Sequence, residues 1–143
     1  MDKENIFTMD TSGIKFGNGC TEEVGYEAKR FGIKKALVIT DKKIEKLGLF
    51  QKVKDSLGRY GVDFSVYNEV VTEPTDTSFK NASSFASDGD YDGFIAVGGG
   101  SVMDTTKAAN LYSTYPADFL DYVNAPIGKG VPIPGPLKPL ICV

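Results

Sequence analysis

The chain has 143 residues, 41% hydrophobic and 24% charged, with 16 basic and 19 acidic residues for a net charge of −3. This composition describes one globular domain with a core of its own, and it excludes a disordered chain and argues against a nucleic-acid footprint. No apolar run reaches bilayer length, and with no histidine in the sequence a His-based triad or a His-ligated metal site within these residues is excluded.

Residues 1–5 contain no apolar h-region, so no signal peptide is read there and a cytoplasmic location is expected. Cys20 and Cys142 are accordingly read as free thiols. Two short strands, Ile6-Phe7-Thr8-Met9 and Ile14-Lys15-Phe16, flank the turn cluster Asp10-Thr11-Ser12-Gly13 and predict an N-terminal β-hairpin. Thr21-Glu22-Glu23 opens a helix with acids in its first turn. Val24, Ala28 and Phe31 recur at helical spacing, and Gly32 closes it. Ala36-Leu37-Val38-Ile39 is a nearly continuous apolar run, the pattern of a buried parallel strand.

A helix near residues 49–60 places Phe50, Val53 and Leu57 on one face. Residues 62–67 alternate as a strand, and Glu73-Pro74-Thr75-Asp76 reads as a turn. A helical stripe follows through Phe79, Ala82, Phe85 and Ala86. Phe94-Ile95-Ala96-Val97 is a second buried run. It leads through Gly98-Gly99-Gly100-Ser101 into a helix bearing Val102, Ala109 and Tyr112. Strands alternating with helices predict an α/β domain, a parallel sheet covered on both faces. Residues 126–139 hold five of the seven prolines and three glycines, so no regular element is expected there. The chain ends on a third apolar run, Leu140-Ile141-Cys142-Val143. A domain seldom ends on a bare strand edge, so the chain is expected to be a fragment.

Charge is segregated along the chain. Residues 29–54 carry nine Lys/Arg against two acids, and residues 63–92 carry seven acids against one lysine. Two solvated faces account for this, and steering of a ligand or second subunit is the alternative.

The glycine turn carries the strongest chemical signal. A buried strand feeds three glycines that open a helix, where free N–H groups and the helix dipole suit a phosphate or pyrophosphate. It is not a Walker A loop, because no Gly-Lys-Ser/Thr follows. It is not G-x-G-x-x-G either, since Met103 stands at the third glycine. Ser101 and Asp104 also fit a capping box, with Ser101 as N-cap. Lys107 pairs with Asp104 at the surface or reaches a phosphate. Asp41, after the first apolar strand, either contacts a ribose hydroxyl and repels a 2′-phosphate or caps a helix. Lys42 and Lys43 act against the repulsion. Glu73-Pro74-Thr75 lies where α/β folds place ligand contacts, and also reads as a plain turn.

Gly98-Gly99-Gly100-Ser101-Val102-Met103-Asp104-Thr105-Thr106-Lys107 resembles the G-G-G-S-x-x-D-x-x-K signature of the iron-containing (group III) alcohol dehydrogenases. Further stretches resemble their hydroxyacid–oxoacid transhydrogenase branch: Ile14-Lys15-Phe16-Gly17, Glu73-Pro74-Thr75-Asp76, Ala108-Ala109-Asn110-Leu111-Tyr112, residues 118–130, and Pro136-Leu137-Lys138-Pro139-Leu140-Ile141. The resemblance implies that residues 1–143 are the N-terminal, Rossmann-like dinucleotide-binding domain of a two-domain oxidoreductase. A helical second domain, absent here, would hold iron or another divalent metal through one aspartate and three histidines.

By position, Asp41 resembles the acid on the adenosine ribose, which favours NAD over NADP. Gly100, Ser101 and Asp104 resemble contacts to the pyrophosphate and nicotinamide side, with Gly98 and Gly99 shaping the turn. Glu73 stands where many members have Asn, near the nicotinamide, and resembles the usual form of the transhydrogenase branch. No residue resembles a catalytic acid, base or metal ligand. The implied chemistry is hydride transfer between an alcohol or hydroxy acid and an aldehyde, ketone or oxo acid. The expected partners are a small-molecule substrate and a possible second copy of the chain, with no nucleic acid and no membrane. The chain alone is expected to be inactive. A stand-alone nucleotide-binding module without catalysis is the alternative.

Overall fold

The two continuous apolar runs are the centre of the architecture. The computed structural model, which describes residues 11–143, places the first in β1, Lys35–Ile39, and the second in β3, Gly93–Ala96. Residues 36–39 and 94–97 are all 0% exposed, as strands covered on both faces must be. The other two strands are β2, Asp63–Tyr67, and β4, Leu140–Cys142. All pairings are parallel, in the order β2-β1-β3-β4. Leu37 lies opposite Ser65 on one side and Phe94 on the other, and Ile95 lies opposite Ile141.

Alternation along each strand divides the core into two layers. Ala36, Val38, Ile95 and Val97 face α1, Val24–Arg30, and α2, Gly48–Arg59, where Val24, Ala28, Phe50, Val53 and Leu57 complete the packing. Leu37, Ile39, Phe94 and Ala96 face α3, Asp76–Ser87, and α4, Gly100–Thr114, through Ala82, Ala86, Val102 and Ala109. A 3₁₀ turn, Cys20–Glu23, leads into α1. Gly32, at φ 78°, ends α1 as expected. Thr75 caps α3 reciprocally with Ser78: each side chain bonds the other's amide.

Two polar devices join helices and tail to this core. The buried Ser56 hydroxyl accepts from the Gly25 amide at 3.0 Å and donates to the Glu22 carbonyl at 2.6 Å, riveting α2 to α1. Asn110, 1% exposed on α4, holds residue 138 from both sides. It donates to the Lys138 carbonyl at 2.8 Å and accepts from its amide at 3.3 Å. Tyr115 donates to the Pro136 carbonyl at 2.9 Å, and Lys138 Nζ donates to that of Tyr91 at 2.7 Å. The proline-rich tail thus has no regular element over 126–139, as expected, yet its end is fixed at the edge of β3.

The expected N-terminal hairpin is corrected in part. Residues 6–9, its first arm, lie outside the described residues. The second arm forms no strand, and Ile14 and Phe16 are 86% and 97% exposed. An extended segment without a partner has no ladder to stabilise it. Lys15 instead reaches α1 and the turn before it, pairing with Glu27 and Glu23. Those bonds raise the Lys15 pKa and lower that of Glu27.

The α1–α2 contact yields a paired prediction. A Cβ at Gly25 would sit 2.3 Å from the Ser56 carbonyl oxygen, whereas one at Gly48 would meet nothing within 4 Å. Gly25→Ala should lower the unfolding free energy by about 1–3 kcal/mol. Gly48→Ala should leave it unchanged or raise it by about 0.5 kcal/mol. Urea denaturation of both variants checks this.

Candidate functional site

The order of the strands parts two loops at one place before any side chain is considered. From β1 the chain crosses to β2 on one side, then returns to β3 on the other. The loops leaving β1 and β3 therefore diverge, and in open parallel sheets ligands bind where such a reversal parts the carboxyl ends of neighbouring strands. Residues 40–41 and 97–101 stand at this place.

On the β3 side, Val97 donates to the Ile39 carbonyl at 2.9 Å and Gly98 donates to that of Val143 at 3.0 Å. Gly98 adopts φ 147°, and a Cβ there would lie 2.7 Å from Val102 Cγ2, so both backbone shape and packing require glycine. Gly99 and Gly100 differ, because a Cβ on either would meet nothing within 4 Å. Their bareness serves no internal contact and leaves the backbone open to approach. The Gly99 carbonyl accepts from Val102 and Met103, both at 3.0 Å. The amides of Gly99, Gly100 and Ser101 donate to no group among the described residues. They stand at the positive end of the 15-residue α4.

The expected capping box at Ser101 is corrected. The helix starts two residues earlier, with Gly99 as N-cap and no side-chain cap bond. The Gly99 carbonyl already accepts the first helical bonds, so Ser101 lies inside the first turn. Its own carbonyl accepts from Thr105 Oγ1 at 2.7 Å. Asp104 is exposed and lies 3.5 Å from Lys107 Nζ, the surface pair that was one of the two readings of Lys107.

On the β1 side, Thr40 donates its amide to the Tyr67 carbonyl at 2.9 Å and its hydroxyl to that of Val97 at 2.8 Å. Asp41 Oδ1 accepts from the amides of Lys43 at 2.7 Å and Ile44 at 2.9 Å, fixing the turn that leads into the 3₁₀ helix Ile44–Lys46. The helix N-cap weighed for Asp41 is corrected: the N-cap position is Lys43, and Asp41 serves the turn before it with one oxygen. Oδ2 has no hydrogen-bond partner among the described residues. Lys42 is drawn aside to Glu69 at 2.8 Å.

Glu73 lies in the loop between β2 and α3. It is exposed and adopts φ 54°, the only positive φ of a non-glycine residue among the described residues. Such a backbone is uncommon outside glycine, Asn and Asp, and proline follows directly. The fold thus brings Asp41 and residues 98–101 to adjacent strand ends. Asp104 stands further along α4, and Glu73 stands at a third strand's exit.

Other chemistry is sparse. Desolvation pushes the thiol of Cys142 above its ordinary pKa, against the opposing charge of Lys107. Among the described residues no three His, Cys, Asp or Glu side chains gather as metal ligands. The open glycines, with amides that no described residue accepts from, fit a phosphate-bearing ligand. Sequence reasoning passed over Thr40. Its signal was a hydroxyl residue ending an apolar run at a place where burial demands a hydrogen-bond partner.

Comparison with known proteins agrees with this geometry. Residues 11–143 match the family model of iron-containing alcohol dehydrogenases. The chain is 55% identical over 138 residues to the mitochondrial hydroxyacid–oxoacid transhydrogenase of Bos taurus, and 53% identical to that of Homo sapiens. Each match covers 96% of this chain but 30% of the relative, so the chain spans under a third of the length of these relatives. Among solved structures it superposes on an NADH-dependent butanol dehydrogenase of Thermotoga maritima with a TM-score of 0.86 and 27% identity, covering 97% of this chain and 34% of that one. A parallel sheet with this strand order, a glycine turn at its reversal and a family match over residues 11–143 lead to one conclusion: the chain belongs to the iron-containing alcohol dehydrogenase family.

Proposed function

We propose that this chain is the nicotinamide-dinucleotide-binding domain of a metal-dependent oxidoreductase whose substrates are small hydroxy acids and oxo acids. The observation that carries the reading is the set of amides at Gly99, Gly100 and Ser101 that no described residue accepts from, at the start of a long helix and beside the strand end that bears Asp41. These amides would hold the pyrophosphate. Asp41 Oδ2 would accept from the adenosine ribose while Oδ1 keeps its turn. Asp104 and Glu73 would lie toward the nicotinamide side, as the family resemblance implies. The dinucleotide, when bound, supplies the hydride acceptor or donor. The chain's own contribution is to fix the position of that group.

The hydroxyacid–oxoacid transhydrogenases among the chain's relatives support the substrate class, and the NADH dependence of the Thermotoga dehydrogenase supports a nicotinamide. The metal belongs, in this reading, to a part of the protein outside this chain. A second copy of the chain remains an expected partner. The cytoplasmic location expected from residues 1–5 is not carried by the relatives, which are named as mitochondrial. No helix among the described residues is long and apolar enough to cross a membrane.

Four outcomes follow. The 143-residue chain should bind NADH in a fluorescence titration. Gly99 has φ −81° and open space around it, so Gly99→Val should keep the thermal midpoint while weakening NADH by roughly tenfold or more. Unchanged affinity would refute the amide cradle. Asp41→Asn keeps an oxygen for the turn and removes the charge, so it should narrow the preference for NAD over NADP by roughly tenfold. Tighter NADP than NAD binding by the unmodified chain would overturn the assignment. With iron(II) added, the chain should reduce no NAD in the presence of 4-hydroxybutyrate, and turnover would place catalytic groups within it.

A further inference from the structure

We infer that Thr40 is the positioning residue of this site: its hydroxyl fixes the spacing between the Asp41 loop and the glycine turn, and so sets how well one ligand spans both. The inference rests on the proposed dinucleotide reading and assigns a role to a residue that touches no ligand.

The geometry begins where the β1–β3 ladder stops. The last residue pair in register is Ile39 opposite Ala96, and the last backbone bond runs from Val97 N to the Ile39 carbonyl at 2.9 Å. In a parallel ladder the next bond would run from the Asp41 amide to the Val97 carbonyl. That bond is not made. Asp41 instead turns toward the β2 side, where it bridges Glu69. The Val97 carbonyl is taken by Thr40 Oγ1 at 2.8 Å. A side chain thus supplies the final link between the two strands at the point where their loops part.

Its surroundings make the link stiff. Thr40 and Val97 are both 0% exposed, so water does not compete for the bond. The Thr40 amide is tied to β2 through the Tyr67 carbonyl at 2.9 Å. Residue 40 is therefore held from β2 and holds β3. Asp41 follows it in the chain, and Gly98 follows Val97. Small displacements of this bond pass directly to both ligand-bearing loops, with no flexible segment between to absorb them.

On α4, Thr105 and Thr106 bond carbonyls of their own helix, those of Ser101 and Val102. Thr40 bonds across to the neighbouring strand end. Serine retains the hydroxyl, whereas valine retains the shape and leaves the buried Val97 carbonyl without its side-chain donor.

The test compares a ligand that spans both loops with one that reaches only the turn. NADH is measured by fluorescence and inorganic pyrophosphate by phosphorus NMR, on the 143-residue chain and its variants. Thr40→Val should weaken NADH about five- to tenfold, the size expected for one buried hydrogen bond, and leave pyrophosphate within about twofold. Thr40→Ser should bind NADH within about twofold of the unmodified chain. Equal loss of both ligands in Thr40→Val would overturn the inference, because it would report collapse of the turn rather than lost spacing. Unchanged NADH binding would overturn it too. If Thr40→Val does not fold, Thr40→Ser decides: a loss of NADH would assign the role to the methyl group and contradict the hydroxyl link. Failure of the unmodified chain to bind NADH would refute the dinucleotide reading instead. The link is then judged by amide NMR, where Thr40→Val should move the signals of residues 98–101 and Thr40→Ser should restore them, and unmoved signals would overturn it.

Discussion

Strand β1 is paired along both edges and covered on both faces, and the rest of the domain follows from that enclosure. Four consecutive residues, 36–39, are fully buried. Such a strand has no solvated side to receive a polar residue, so its sequence must be apolar throughout. Its neighbours must lie parallel, which forces each connection to cross a face of the sheet as a helix. The two layers of helices are thus a consequence of how β1 is buried. They make one asymmetric choice: β2 goes to one side of β1, and everything after it goes to the other.

That choice turns burial into chemistry. At the carboxyl ends of β1 and β3 the backbone must leave the sheet in opposite directions, and polar groups that would continue the ladder lose their partners. Some are recovered internally, the Val97 carbonyl through Thr40 and the Asp41 carboxylate through the amides of residues 43 and 44. Others are not recovered. The amides of Gly99, Gly100 and Ser101 stand at a helix start with no acceptor among the described residues, and two of the three residues have no side chain to shield them. In the proposed reading these amides would hold an anion by main chain alone, and Asp41 on the adjoining strand end would supply what the main chain cannot, a group that discriminates between a hydroxyl and a phosphate.

Much of this was legible in the residues. The two apolar runs, the helical stripes of α2 and α3, and the irregular proline-rich segment fall where periodicity and punctuation put them. The strand at residues 140–142 was also readable, because a short apolar run after a broken tail needs a sheet to join. Other features were hidden for definite reasons. Strand order depends on which edge of β1 each helix delivers its strand to, and no local pattern encodes that. The helix at the glycine turn begins at Gly100 rather than after Ser101, because a backbone carbonyl, invisible to side-chain rules, does the capping. Ile14 and Phe16 alternate like a strand, but a strand needs a partner, and here Lys15 is bound to α1 instead. Thr40 was overlooked because its partner lies 57 residues away.

The central claim is that the reversal between β1 and β3 is where this chain holds a dinucleotide. The direct measurement is an amide-resolved NMR titration of the 143-residue chain with NAD. The account predicts shifts at residues 98–101 and 41–44, with the opposite end of the sheet, around Lys34, Gly61 and Asp92, left unmoved. Shifts confined to that opposite end, or none at the glycine turn under saturating ligand, would contradict it.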